Sequence, residues 1–366
     1  MPKIIPLALP YISGNESRYV DECLKTKWIS SLGKFVNKFE DSFAQFCDCR
    51  YGIATSNGTV ALHLALRTLG IGEGDEVIVP NLTFIATANA VKYTGARPVL
   101  VDSEISTWNI DPALIERKIT AKTKAIIVVH LYGHSAKMDE IIRIARKHNL
   151  FLIEDACQAH GVLYKGKKVG SLGDLGVFSF YGNKIITTGE GGMVVTGNRK
   201  FDERARLLRD HAMSKVRRYF HAEIGFNYRI TNIQAAIGLA QLENIEYIIN
   251  RKIEIAHTYN ELLKNVEEVS LPPDEAWAKN VFWMYSILIK NKMRDMLMVK
   301  LLESGIETRP FFIPMHRLPP YRSREKFPIS DMLSLQGVNL PCFVEVRKKE
   351  IKCICEKIKH ILVRGK

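Results

Sequence analysis

The chain is short of several things, and each shortage removes a class of protein. Its apolar runs, such as Val281-Phe282-Trp283-Met284-Tyr285-Ser286-Ile287-Leu288-Ile289, fall far below the roughly 20 residues of a membrane-spanning helix. The opening Met1-Pro2-Lys3-Ile4-Ile5-Pro6 is broken by proline and lacks the apolar core of a secretory leader, so a cytoplasmic protein is expected. Neither G-x-G-x-x-G nor G-x-x-x-x-G-K-[ST] stands at a strand-to-helix turn, which deprives dinucleotide-binding and NTPase readings of their main support. Internal repeats and low-complexity tracts are missing. The seven cysteines are an odd number, and Cys47/Cys49 and Cys353/Cys355 lack both the C-x₂-C spacing and the companion histidines of a zinc site. Reduced thiols and no metal are expected. Acidic residues are in deficit, 39 against 52 Lys plus Arg, for a net charge of +13. That surplus invites an anionic partner, whether nucleic acid, a membrane surface or a phosphorylated small molecule, without choosing among them.

What remains is an ordinary globular composition, 46% hydrophobic and 25% charged over 366 residues, enough for two domains or one large one. The first two-thirds alternates strand-like and helix-like stretches, as a mostly parallel sheet with crossover helices would. Strands are expected at Tyr51–Thr55, Gly74–Pro80, Pro98–Asp102, Ala125–Val129, Phe151–Ile153, Val177–Phe180 and Gly192–Val195. The stripe Phe35, Phe39, Phe43 and Phe46 on a helix from Lys34 to Cys47 reads as core, because i, i+4 spacing is how a helix buries a face. One long helix is expected from Asn232 to Leu263, linking a large domain over residues 1–245 to a smaller α+β domain over 246–366. The N-terminal segment is free to pack on the smaller one. Beyond the helix lie a strand at Val281–Ile289, a helix near Arg294–Ser304, a proline-rich loop from Pro310 to Pro320 and a closing helix. The tail from Val344 to Lys366 has eight basic and three acidic residues, with Ile351, Ile354, Ile358, Ile361 and Leu362 at helical spacing. It reads as an amphipathic helix with a solvated basic face rather than a nucleic-acid contact.

Three features carry chemistry. In Ser56-Asn57-Gly58-Thr59 a strand ends in a small-residue turn and a helix begins at once, which aims free amides and the positive end of a helix dipole at an anion. Asp155 closes an apolar strand, where open α/β sheets place ligands. Lys184 stands between a buried strand and the turn Gly189-Glu190-Gly191-Gly192, an odd place for a solubilising side chain. A lysine that attacks a carbonyl must be neutral part of the time, so burial or a neighbouring cation must lower its pKa from about 10.4. Phosphate cradle, carboxylate and lysine together are what pyridoxal phosphate (PLP) requires: a seat for its phosphate, an acid to keep its ring nitrogen protonated, and an amine for its aldehyde.

The chain resembles the DegT-type sugar-nucleotide aminotransferases, PLP enzymes of the aspartate-aminotransferase fold (fold type I). The likeness runs through Gly74–Pro80, Thr83–Ala90, Glu154–Gly161, Ser179–Gly192 and Gly225–Asn232. It implies an α/β fold with a mostly parallel seven-stranded sheet flanked by helices, plus a smaller C-terminal α+β domain. It implies Lys184 as the Schiff-base lysine and proton shuttle, Asp155 at the pyridinium nitrogen, Gln158 near the phenolic oxygen and Phe84 on the ring face. Gly58, Thr59 and Ser179 would hold the phosphate with Asn227 of a neighbouring subunit, so a homodimer with shared sites is implied. Trp28-Ile29-Ser30-Ser31 resembles members that aminate carbon 4 of a 4-keto-6-deoxy sugar, and Glu307–His316 resembles a member acting on a GDP-linked sugar with L-glutamate as donor. Trp28, Ser30, Arg229, Arg309, His316 and Tyr321 are the candidates for the sugar or nucleotide pocket. A UDP or dTDP carrier stays open, as does a non-catalytic regulator using its charge on nucleic acid.

Overall fold

The computed structural model describes residues 4–364; residues 1–3 of the proline-broken opening and 365–366 of the basic tail lie outside the described residues. The strands of the first two-thirds are β1 (Tyr51–Thr55), β2 (Glu76–Pro80), β3 (Arg97–Val101), β4 (Thr123–Val129), β5 (Phe151–Asp155), the short β6 (Leu163–Tyr164) and β7 (Lys167–Lys168), β8 (Leu175–Ser179) and β9 (Gly192–Thr196). Seven of them form one sheet in the order β1-β9-β8-β5-β4-β2-β3. The run from β8 to β3 is parallel, and β9 alone is reversed, antiparallel to β8 and to β1. This is the mostly parallel α/β architecture expected from the sequence.

The sheet is buried on both faces because its strands are apolar at successive positions, the pattern of a parallel sheet covered by helices. In β8, Val177 joins a core with Leu62, Leu66 and Ala65 of the helix Gly58–Thr68, while its neighbour Phe178 faces the opposite layer. There the helix Lys34–Phe46 lays Phe39 and Phe43 against Phe178 and Phe180, with ring centroids 5.0 Å apart for Phe39–Phe180, Phe43–Phe178 and Phe43–Phe180. The phenylalanine stripe is core, and Phe43→Ala would cost about 3–5 kcal/mol.

The second sheet is antiparallel, with β10 (Val269–Ser270), β12 (Tyr285–Ile289), β13 (Arg309–Pro310) and β14 (Gly337–Leu340) ordered β10-β12-β14-β13. Helices Ile245–Leu263 and Lys348–Arg364 pack beside it, the latter burying Ile351, Ile354, Ile358 and Leu362 on one stripe. Between β10 and β12, β11 (Ala278–Lys279) pairs back onto β6, stitching the later chain to the earlier. The N-terminal segment reaches the second sheet too. Ile5 bridges Ile306 in parallel, the Leu7 amide donates to Glu307 Oε2 across 300 positions of sequence, and the Leu7 carbonyl accepts from the Cys342 amide.

Two expectations need correction. The single helix Asn232–Leu263 is two, Asn232–Glu243 and Ile245–Leu263. Asn244 leaves helical geometry (φ −107°, ψ 6°), its amide turning back to Gln241 and Leu242, as a residue whose short amide competes with the helix ladder can. The strand expected from Val281 begins only at Tyr285. Phe282 sits at φ +48°, and the Val281 amide donates to the Gly133 carbonyl at 3.1 Å, so this stretch spends its backbone on the turn after β4 instead of on a sheet.

Candidate active site

The carboxyl ends of the parallel strands meet at one edge of the large sheet, the place where such sheets gather ligands. Asp155 ends β5, Ser179 ends β8, and β1, running the same way beyond the reversed β9, delivers Thr55. Alternation along β5 sends Glu154 and Asp155 to opposite sides. Glu154 is fully buried and accepts from the amides of Gly170, Leu172 and Gly173 and from His130 Nε2 at 3.0 Å, which anchors the strand end. Asp155 is buried as well, with Oδ2 accepting from Thr87 Oγ1 at 2.7 Å and Oδ1 from the Cys157 amide at 3.2 Å. Three positions on, buried Gln158 accepts the Tyr132 amide at 2.9 Å.

Lys184 follows β8 in a turn closed by its own amide to the Tyr181 carbonyl at 2.9 Å. Burial lowers the lysine's pKa from its ordinary value, while Cys157 and Asp155 pull the other way. Nζ lies 3.9 Å from the centroid of the Trp283 ring. Behind the lysine, His160 is buried among Phe43, Phe178 and Phe180, with both ring nitrogens unpartnered. Desolvation, and then the Lys184 charge, push its pKa down to about 3.

The anion seat is built from β1 and the helix it feeds. Asn57 caps the helix, its side chain accepting from the Val60 amide and its carbonyl from Ala61, which leaves the amides of Gly58 and Thr59 as first-turn donors. A Cβ on Gly58 would fall 2.7 Å from Ser179 Cβ and 3.2 Å from both Ser179 Oγ and Cys157 Sγ. Only glycine lets the helix start sit this close to the serine hydroxyl. Cradle, carboxylate, amide and lysine therefore converge, and the donor set fits PLP: amides and a hydroxyl for a phosphate, an acid for a ring nitrogen, and an amine of lowered basicity.

The other candidates are placed unevenly. Phe84 is exposed at the mouth, its ring 5.8 Å from Phe312. His316 is buried, its backbone amide donating to Asn81 Oδ1 at 3.0 Å while its ring also meets the Asn81 side chain. Tyr321 donates to Asn89 Oδ1 at 2.6 Å. Arg309 is an exposed residue of β13, and its charge acts on the buried Tyr132 hydroxyl, whose pKa burial raises. Arg229 pairs with Asp210 beside exposed Asn227. Trp28 and Ser30 are exposed, their carbonyls tied to Asn232 at the start of a helix and not to the strand ends. Two adjoining cavities flank the 316–327 stretch. One of about 610 Å³ includes His316, Arg317 and Arg322, and one of about 440 Å³ includes Tyr321, Lys92, Arg97, Arg117 and Lys118. Neither is lined by Lys184 or Asp155.

Sequence reasoning passed over Thr87, Tyr132 and Trp283. Thr87 had a signal, since it lies one helical turn beyond Phe84. Trp283 had none, being distant in sequence from everything it touches.

Such a set of groups at the carboxyl edge of a parallel sheet defines the class: a PLP-dependent aminotransferase. Comparison with known proteins agrees. Residues 10–359 match the DegT/DnrJ/EryC1/StrS aminotransferase family, and the chain belongs to that family. It is 48% identical over 358 residues to a GDP-perosamine synthase of Escherichia coli O157:H7, covering 97% of this chain and 98% of the relative. It is 47% identical over 365 residues to a GDP-perosamine synthase of Caulobacter vibrioides, covering 98% of each. Among solved structures, the aminotransferase TlmJ of Streptoalloteichus hindustanus superposes with a TM-score of 0.95 at 27% identity, covering 99% of this chain and 100% of that one. DesV of S. venezuelae, in complex with a ketimine intermediate, superposes with a TM-score of 0.90 at 33% identity, covering 94% of each.

Proposed function

We propose that this protein moves an amino group from L-glutamate to carbon 4 of GDP-4-keto-6-deoxy-D-mannose, forming GDP-perosamine and 2-oxoglutarate. The observation that carries the reading is the 48% identity, over nearly the whole of both chains, to a relative named GDP-perosamine synthase. The product would serve O-antigen or related surface polysaccharide, made in the cytoplasm. Among the described residues, no helix is long and apolar enough to cross a membrane.

When bound, PLP supplies an electron sink that acidifies the C–H bond next to the nitrogen it holds. The protein's residues do the rest. Gly58, Thr59 and Ser179 would hold the phosphate, and Asp155, oriented by Thr87, would keep a proton on the ring nitrogen. Gln158, fixed by the Tyr132 amide, would meet the phenolic oxygen, and Phe84 would cover the ring. Lys184 Nζ would take the proton from the glutamate α-carbon and pass it to the carbon on the other side of the nitrogen; in the second half it would work in reverse, delivering a proton at carbon 4 of the sugar. Its lowered basicity suits a base near neutral pH.

Asn227 is exposed in the single chain and is assigned here to the partner subunit's phosphate seat. The exposed apolar side chains Val216, Tyr219, Phe220 and Ile224 just before it support a homodimer contact. The two basic cavities suit the diphosphate of the carrier, with His316 and Tyr321 at their walls.

The test is an absorbance spectrum of the purified protein before and after L-glutamate, followed by product analysis with the keto sugar on GDP, UDP and dTDP. A yellow band bleached by glutamate, with amination of the GDP sugar fastest, is expected. A protein that stays colourless with PLP supplied overturns the enzyme reading; preference for UDP or dTDP overturns the carrier.

A further inference from the structure

Trp283, 100 positions from Asn183 in the sequence, reaches the Lys184 turn by two contacts. Its indole Nε1–H donates to the Asn183 carbonyl at 2.7 Å, and the ring centroid lies 3.9 Å from Lys184 Nζ. The ring runs nearly parallel to Tyr132 (17°, centroids 6.2 Å apart) and is buried. Its backbone is held equally firmly. Gly133, at φ +98°, lies so near that a Cβ there would stand 2.7 Å from the Trp283 nitrogen. A tryptophan wanted only for bulk needs none of this. Here the hydrogen bond sets the ring plane from the residue just before the lysine, and the same plane presents its electron-rich face to the ammonium. The charged and titratable groups that act on Nζ from elsewhere are Asp155 and Cys157, both favouring the cation. His160 is neutral and faces it from behind.

We propose that Trp283 is a positioning residue for Lys184: its indole face is the resting place of the ammonium whenever Nζ is free of the cofactor, and it steadies there the proton that Nζ carries from one carbon to another within each half of the reaction. The inference rests on the aminotransferase reading for its role in turnover, but its geometry is independent of the sugar. Without the ring, Nζ keeps only the pull of Cys157 and Asp155 towards the cation, and it loses a proton more readily.

The test measures Lys184 directly. The full-length chain, freed of cofactor, is reductively methylated with labelled formaldehyde across a pH series, and mass spectrometry of the Lys184 peptide gives the midpoint of its reactivity. Trp283→Leu removes face and N–H together, and the midpoint should fall by about one pH unit. Trp283→Phe keeps a face and should restore most of that shift. In the loaded enzyme, Trp283→Leu should lower kcat about tenfold and shift the basic limb of its pH profile, with the KM for glutamate moved less than about twofold. Should the leucine variant not fold, 5-fluorotryptophan weakens the face at constant shape, and the midpoint should fall with fluorination. A midpoint unmoved in a folded Trp283→Leu protein, or by fluorination, overturns the proposal. Inactivity toward the GDP sugar alone overturns the substrate reading and leaves the midpoint result standing.

Discussion

The two sides of the site are made differently. On one side, Asp155, Ser179 and the Gly58 cradle sit at strand ends of a single sheet, each placed by a neighbour close in sequence or by one ladder. On the other, Trp283 from the stretch before β12 and Phe312, His316 and Tyr321 from the loop after β13 are each held by a partner far away in sequence: Asn183, Tyr132, Asn81 and Asn89. In the function proposed above, the first side holds the groups that do the chemistry, and the second, Trp283 apart, supplies the wall that meets the sugar nucleotide. The lesson is that catalytic groups are anchored locally, and the recognition wall is anchored across the fold.

That contrast can be broken. Lys184→Ala should abolish turnover, by about 10³-fold or more, in a protein that still folds, measured as product formed against unchanged circular dichroism. Normal transamination by that variant would sink the assignment. Asp155→Asn removes the acid but keeps the Thr87 hydrogen bond available, and kcat should fall about 10²-fold with little change in KM for the sugar. Tyr321→Phe, on the recognition side, should instead raise KM for the nucleotide sugar by about tenfold or less and spare kcat. Equal losses in kcat from Tyr321→Phe and Asp155→Asn would erase the division. Added salt should raise the sugar's KM more than it lowers kcat, because the basic cavities attract a dianion through screened charge; a salt-independent KM speaks against that attraction.

A pH effect sharpens the comparison from the locally anchored side. His160 is neutral in the folded chain, with its pKa depressed to about 3, whereas in the unfolded chain it titrates at its ordinary value near 6.5. The unfolded state therefore binds the extra proton, and stability is full above pH 6.5 and drains away as pH falls towards 3. One such ring removes about 2 kcal/mol between pH 6.5 and 5. Thermal unfolding of His160→Phe should lose most of this slope, and an identical slope in the variant would contradict the assignment.

Much of the large sheet could be read in the sequence because parallel strands are continuous apolar runs and their ends carry the odd polar residue, as Asp155 and Ser179 do. The phenylalanine stripe was equally plain. What escaped was set by tertiary geometry. Asn244 is no stronger a helix breaker than other polar residues in helices, yet it ends one. Val281–Met284 is as strand-like as any run in the chain, but its backbone is claimed by Gly133 and its tryptophan by Asn183. Thr87 and Tyr132 serve the site through single hydrogen bonds, which leave no periodic trace.

The pairing of Ile5 with Ile306, and of Leu7 with Glu307 and Cys342, has a consequence for how the molecule is made. During synthesis Ile5 and Leu7 are made some 300 residues before the partners they pair with. Closing a loop of 300 residues is a slow, late event with a high entropic threshold. Until residues 305–342 are made, Ile5 and Leu7 lack these partners, and anything else that pairs with them in the meantime competes with this closure.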